Sequence, residues 1–190
     1  MLVEVPDAVA AASLAAWARR VGLAAEEVVP GAATVLVDGA DPSAVREALD
    51  AWPGDTAPVG PGEPEEEVRI EVQYDGPDLG LVAAHWGCTE AEVVDRHTSL
   101  ELVSAFCGFA PGFAYLAGLP EEWAVPRLPS PRPRVPAGSV AVADRWCAVY
   151  PTASPGGWRL IGTTTATLWD VGRRPPALLA PGTRVRFVAA

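Results

Sequence analysis

Three segments of the chain carry residue types suited to holding a small charged ligand. "CGFAPGFAYLAGLP" (107–120) interleaves Phe109, Phe113 and Tyr115 with Gly108, Gly112, Gly118, Pro111 and Pro120, so aromatic rings ride on a backbone that bends in fixed places. "PRLPSPRPRVPAGS" (126–139) sets Arg127, Arg132 and Arg134 among five prolines. Guanidinium groups on so stiff a backbone lose little entropy when they meet a carboxylate or phosphate. "YPTASPGGWRLIG" (150–162) places Ser154 ahead of Gly156, Gly157 and Trp158, and paired glycines let backbone N–H groups approach an anion. Each segment has a plainer counterpart: aromatic core, a solvated basic connector, and a hairpin turn with Trp158 buried beneath it.

No catalytic triad can be drawn. His97, with Asp95 or Glu101 nearby in sequence, has the chemistry for proton transfer, although a histidine at a helix end commonly has a structural role. Ser139 and Ser154 are hydroxyls beside glycine-rich turns with no neighbouring base. The catalytic candidates are therefore His97, Ser139 and Ser154. Cys88, Cys107 and Cys147 are widely spaced and there are two histidines, so no metal site is expected. All 14 basic residues are arginine. Without a lysine, the chain alone cannot supply a Walker A loop, a Schiff base or a biotin attachment point.

Net charge is −10 over 190 residues, unevenly divided. Residues 1–99 hold 5 Arg against 19 Asp and Glu, a net −14; residues 100–190 hold 9 Arg against 5 acids, a net +4. An acidic solvated first half and an anion-receiving second half are expected. No apolar run approaches the ~18 residues of a membrane span, and "MLVEVPDAVA" lacks the marks of a signal peptide, so a cytoplasmic protein is expected.

These loops need elements to position them. "LVEV" (2–5), "EVV" (27–29), "ATVLVD" (33–38) and "VRIEVQY" (68–74) predict strands; "DAVAAASLAAWARRVG" (7–22) and "DPSAVREALDAW" (41–52) predict helices, the second with Asp41 as N-cap and Pro42 at its first position. The order βαββαβ predicts a ferredoxin-like four-stranded α/β sandwich over residues 1–76, its last strand following the acidic, turn-rich stretch 53–67. Residues 77–99 predict a connector of two short helices, with Thr89 and Glu92 as a capping box. Glu90, Glu92 and Asp95 on the second helix argue against a DNA-reading helix-turn-helix. Residues 100–190 predict a β-barrel or sandwich with strands at 139–143, 147–151, 158–165, 166–170 and 184–189.

Taken together, "GFAPGFAYLAGLP", "PRLPSPRPRVPAGSVAVA" and "YPTASPGGWRLIGTT", with "MLVEV", "VPGAATVLVD", "VQYDGPDLGLVAAHWGCTEAEVVDRHTS" and "PGTRVRF", resemble the family of the 5-oxoprolinase component PxpB, also called allophanate hydrolase subunit 1 or KipI-like, over essentially the whole chain. The resemblance implies an α+β protein whose small N-terminal domain precedes a cyclophilin-like β-barrel. It implies a subunit of a heteromeric ATP-dependent amidohydrolase, opening 5-oxoproline to glutamate with a subunit 2 (PxpC-type) partner and a PxpA-type third component. ATP would lie at or near the partner interface. Two other functions in the same family are a KipI-like regulator of a histidine kinase and a carboxyltransferase component of the allophanate hydrolase or urea carboxylase type. The matching motifs carry over Phe109, Pro111, Gly112 and Phe113 as pocket wall, Arg132 and Arg134 as anion clamp, Gly138 and Ser139 as donors, and Ser154, Gly156, Gly157 and Trp158 as the opposing turn, with Tyr150 among the substrate- or anion-binding residues. The chain departs from the family's usual arginines at Leu128 and Thr163, and from its usual aspartate at Thr183.

Overall fold

Two aspartates start the helices of the first part of the chain. Asp7 accepts from the Ala10 N–H at 2.8 Å and opens α1 (Ala8–Arg20); Asp41 accepts from Ser43 N–H at 2.8 Å and opens α2 (Pro42–Asp50), with Pro42 in the first turn. Strands β1 (Leu2–Glu4), β2 (Glu27–Pro30) and β3 (Thr34–Asp38) form an antiparallel sheet in the order β1-β3-β2. Leu14, Ala15, Trp17 and Ala18 of α1 bury against Val35 and Val37 of β3 and Val45 of α2. The structure, a computed structural model, describes residues 1–54 and 67–190, so most of the acidic stretch 53–67 lies outside the described residues. The chain divides into two compact units, Met1–Glu65 and Glu66–Ala190.

The expected four-stranded ferredoxin-like sheet is corrected by this division. Strand β4 (Val68–Val72) belongs to the second unit, where it pairs in parallel with β12 (Arg184–Ala189), from Val68 opposite Val185 to Val72 opposite Ala189. The alternation in "VRIEV" is real, but the apolar face it creates is that of Ile70 and Val72, which bury with Val185 and Phe187. The boundary expected at residue 76 thus falls inside the second unit, and the helices of 77–99 pack there too.

The second unit is built on seven strands. β5 (Leu102–Cys107), β6 (Ala114–Ala117), β8 (Ser139–Ala143), β9 (Trp146–Val149) and β11 (Arg159–Thr163) join β12 and β4 in the order β11-β8-β9-β6-β5-β12-β4. The two edges meet beyond β4: Gln73 and Thr163 exchange N–H···O=C bonds at 2.8 Å each way, and Asp78 N–H donates to Leu160 O at 2.9 Å. The result is a nearly closed barrel. A two-stranded ribbon, β7 (Arg132–Val135) with β10 (Ser154–Gly156), accompanies it and is masked in the sequence by Pro133 and Pro155. The expected strand 166–170 is absent apart from a bridge between Trp169 and Ala177; the pairing of β11 with β8 reaches Thr164, whose N–H donates to Gly138 O, and goes no further.

All five residues of β8 are buried, since both faces of the sheet are covered there. Val140 and Val142 join the barrel interior with Leu116, Val149 and Ile161, whereas Ala141 and Ala143 join an outer cluster with Ala148, Tyr150, Phe113 and Trp158. Helices α3 (Leu79–Trp86) and α4 (Glu90–Ser99) pack on the interior cluster through Val82, Trp86 and Val93, and the Thr89–Glu92 capping box is formed as expected.

His97 points into this core. It is wholly buried, stacks on Phe187 at 4.6 Å, and lies 2.7 Å from the Tyr74 hydroxyl through Nδ1 in a hydrogen bond. Neither Asp95 nor Glu101 pairs with it; Glu101 is engaged by Arg186 at 3.3 Å. Burial lowers the imidazole from its ordinary 6.5 to about 3, so the ring is neutral in the folded protein. The unfolded chain therefore binds this proton more readily, and stability falls as pH drops from about 6.5 toward 3. Between pH 6 and pH 5 the unfolding free energy, measured by urea titration, should fall by up to about 1.4 kcal/mol from this group alone. In His97→Gln that slope should flatten.

Candidate functional site

The outer face of β8 and β9 gathers the three motif segments. Phe113 sits beneath them, 2% exposed, with its ring edge-on to Tyr150 at 5.4 Å, Trp158 at 5.6 Å and Tyr115 at 5.1 Å. Leu128 N–H donates to Gly157 O at 2.7 Å and ties the second segment to the third. Gly156 lies so close to Tyr150 that a Cβ there would stand 2.3 Å from the phenolic oxygen, which only glycine allows. Burial raises the Tyr150 hydroxyl's pKa, opposed by a hydrogen bond from Trp158 N–H and by the guanidinium groups of Arg127 and Arg132. Arg127 also lies over the Trp158 ring at 5.7 Å and reaches Asp144 at 3.3 Å.

Phe109 stands apart from this packed set. Its ring is 62% exposed, touching Phe113 at 5.2 Å and Tyr150 at 6.4 Å, and its backbone has φ of 70°. A bulky residue in the left-handed region costs on the order of 1–3 kcal/mol, and such outliers concentrate where a ligand or partner is met. Gly112, with φ of 82°, lets the same loop close on Trp169, whose Cβ would lie 2.9 Å from a side chain at that position. Pro111, between them, is exposed.

The arginines divide in role. Arg132 is held by Asp78, whose side chain is only 3% exposed: Nη2 donates to both carboxylate oxygens at 2.8 Å and Nη1 to Trp158 O at 3.3 Å. Asp78 also accepts from Leu160 N–H at 2.7 Å. Arg132 therefore anchors its own loop to the barrel and is not free to clamp a ligand. Arg134 is exposed and, among the described residues, makes no ion pair, so it is the cation of the loop available to an anion. Asp78 lay outside the sequence-based set because a lone aspartate at a helix start gives no sign of a partner 54 residues away.

The expected backbone donors are engaged internally. Gly138 N–H donates to Tyr150 O at 2.8 Å, and the buried Ser139 hydroxyl donates to Pro136 O at 2.9 Å. The Ser154 oxygen is buried and has no hydrogen-bond partner, which leaves it the one candidate hydroxyl with unused capacity among the described residues. His97 lies in the interior cluster, with Phe187, not among the outer-face residues. At the positions of family departure, Thr163 donates its hydroxyl to Asp75 at 3.0 Å, Leu128 is half-buried, and Thr183 is 7% exposed. Among the described residues no group of three or more His, Cys, Asp or Glu is placed to hold a metal ion, and no helix is long and apolar enough to cross a membrane.

A nearly closed barrel carrying two helices on its interior core and an aromatic, arginine-bearing face on its outside is an α+β protein of the carboxyltransferase-domain type. A family model described as the carboxyltransferase domain, subdomain C and D, matches residues 2–179, and the chain belongs to that family. It is 44% identical over 170 residues to the B-type subunit of 5-oxoprolinase from Escherichia coli O157:H7, covering 85% of this chain and 77% of that protein. It is 47% identical over 124 residues to the corresponding 5-oxoprolinase subunit of Bacillus subtilis strain 168, covering 64% of this chain and 52% of that protein. The crystal structure of TTHA0988 superposes with a TM-score of 0.79 at 34% identity, over 100% of this chain and 39% of that one. The chain thus spans about three quarters, half and two fifths of these relatives.

The two kinds of aromatic residue should separate on mutation. Phe113→Ala should cost roughly 3–5 kcal/mol by denaturant unfolding, as expected of a buried ring. Phe109→Asn, which tolerates the left-handed backbone, should change stability by less than about 1 kcal/mol. Removing the buried carboxylate with Asp78→Ala should cost roughly 3 kcal/mol, toward the low end for buried pairs because Arg132 keeps some contact with water.

Proposed function

We propose that this chain is a subunit of a heteromeric 5-oxoprolinase, which opens the cyclic amide of 5-oxoproline to glutamate with hydrolysis of ATP. The observation that carries this is the identity of 44% with a 5-oxoprolinase subunit along 85% of the chain, joined to a face built from the same motif segments. The barrel is of the cyclophilin-like kind, and the protein works in the cytoplasm. A subunit 2 (PxpC-type) protein and a PxpA-type protein complete the enzyme.

On this reading the outer face is where the chain meets the reaction. Arg134 supplies positive charge to an anionic group, either the carboxylate of 5-oxoproline or a phosphate of ATP. Phe109 and Tyr150 supply an apolar wall. The chain has no lysine for a phosphate loop, and its Arg127 and Arg132 are committed to Asp144 and Asp78. Of the three arginines on that segment, Arg134 alone lacks an ion pair among the described residues, a thin provision for a triphosphate, which supports ATP lying at the boundary with a partner subunit.

Reconstitution with the two partner proteins tests the reading. The complex should convert 5-oxoproline to glutamate only when ATP is supplied, and omission of this chain should abolish the reaction. Arg134→Ala should lower kcat/KM at least tenfold in that assay while the melting temperature of the chain stays within a few degrees. Activity that persists without the chain would sink the proposal.

A further inference from the structure

In the direction of β4 the barrel seam stops at Gln73 and Thr163. Gln73 and Thr163 are an antiparallel pair, bonded both ways at 2.8 Å, and continuing that ladder would set Glu71 against Thr165. Among the described residues that rung is not made: Thr164 N–H donates to Gly138 O at 2.8 Å on the β8 side, and no bond joins Thr165 to Glu71. Where they part lies a groove of about 450 Å3, walled by Arg69 and Glu71 on one side, Thr164, Thr165 and Ala166 on the other, with Val188 alongside.

Backbone parity fixes which main-chain groups face the groove. Ala190 N–H donates to Val72 O at 3.0 Å, so Val72, and with it Ile70, turns its N–H and C=O toward β12. Gln73 turns its own the opposite way, to Thr163, and Glu71 and Arg69 share that direction. Among the described residues, two N–H donors and two C=O acceptors are therefore without a main-chain partner, about 7 Å apart along the strand.

We propose that this seam is a strand-addition site, taking an extended segment of the partner subunit that bonds the main chain of Arg69 and Glu71. Only another extended backbone repeats donor and acceptor at that interval, whereas a helix bonds its own main chain internally. The charged side chains of the groove are Arg69 and Glu71, of opposite sign, and Arg69 is already paired with Glu67 at 3.3 Å. The complementary segment is therefore uncharged, with small or β-branched side chains against Ala166 and Val188 and no proline at the bonding positions. Charges along β4 also discourage indiscriminate pairing of this edge in the free chain. The inference rests on the subunit reading above in that it takes its partner from there.

Hydrogen exchange on the chain alone and on its co-purified complex with the subunit 2 protein tests it. The Arg69 and Glu71 amides should exchange at least tenfold more slowly in the complex. Glu71→Pro, which deletes the N–H, should weaken association about tenfold, whereas Glu71→Ala, which keeps it, should leave association within about twofold. A complex that forms while both amides exchange as in the free chain overturns strand addition and leaves the subunit reading intact; so does equal weakening by the two Glu71 variants. Protection of these amides by 5-oxoproline or ATP alone, or by raising the concentration of the chain alone, overturns it in favour of a small-molecule seat or self-association. Failure of any complex to form overturns both.

Discussion

The carboxylate of Asp78 joins three segments that are far apart in sequence. It receives two bonds from Arg132 on the arginine segment and one from the backbone of Leu160 on β11, and it stands at the residue before α3. A carboxylate so little exposed is unfavourable by several kcal/mol unless its lone pairs are met, and here three N–H bonds meet them. The same bonds fix the path of residues 126–135, which in turn pairs with β10 and covers the outer aromatic cluster. Phe113, Tyr150 and Trp158 owe their enclosure to that cover. Without the Asp78 link the loop would keep its prolines but have no defined place to stand.

Four of the nine arginines of the second half are engaged in such internal work. Arg186 bridges Glu67 and Glu101, Arg127 meets Asp144, Arg145 meets Glu121, and Arg132 meets Asp78. Several acids of the first half by sequence, Glu67 and Asp78 among them, belong to the barrel unit and neutralise part of its charge. The contrast between an acidic first half and a basic second half is therefore weaker in the folded protein than along the chain. What remains on the arginine segment is local: an exposed Arg134 without an ion pair among the described residues.

Local signals in the sequence were legible, and distant pairings were not. Asp7, Asp41 and the Thr89–Glu92 box are read from neighbours within four residues, and each forms as expected. "SVAVA" and "RVRFVA" are strands because continuous or alternating apolar runs admit little else. "VRIEV" shows that a strand exists, yet nothing in it names β12 as partner, and so the ferredoxin-like sheet was expected where three strands stand. Prolines disguised β7 and β10 as turns; in a two-stranded ribbon an outward Pro forfeits no ladder bond. The three motif segments do pack together, but the difference between a paired Arg132 and an unpaired Arg134 depends on a carboxylate that only the fold brings near. The left-handed backbone at Phe109 leaves no trace in residue type at all.

Strand β8 carries the barrel interior on one side and the outer aromatic cluster on the other, with a single layer of backbone between them. Its side chains are no larger than valine, so neither cluster has slack to absorb a displacement originating in the other. Mechanically, β8 acts as a shared partition wall: a displacement of the outer face is transmitted to Val140 and Val142 and thence to the helices behind them. The two clusters should accordingly lose their order as one cooperative event, and the outer face has the rigidity of the whole barrel behind it.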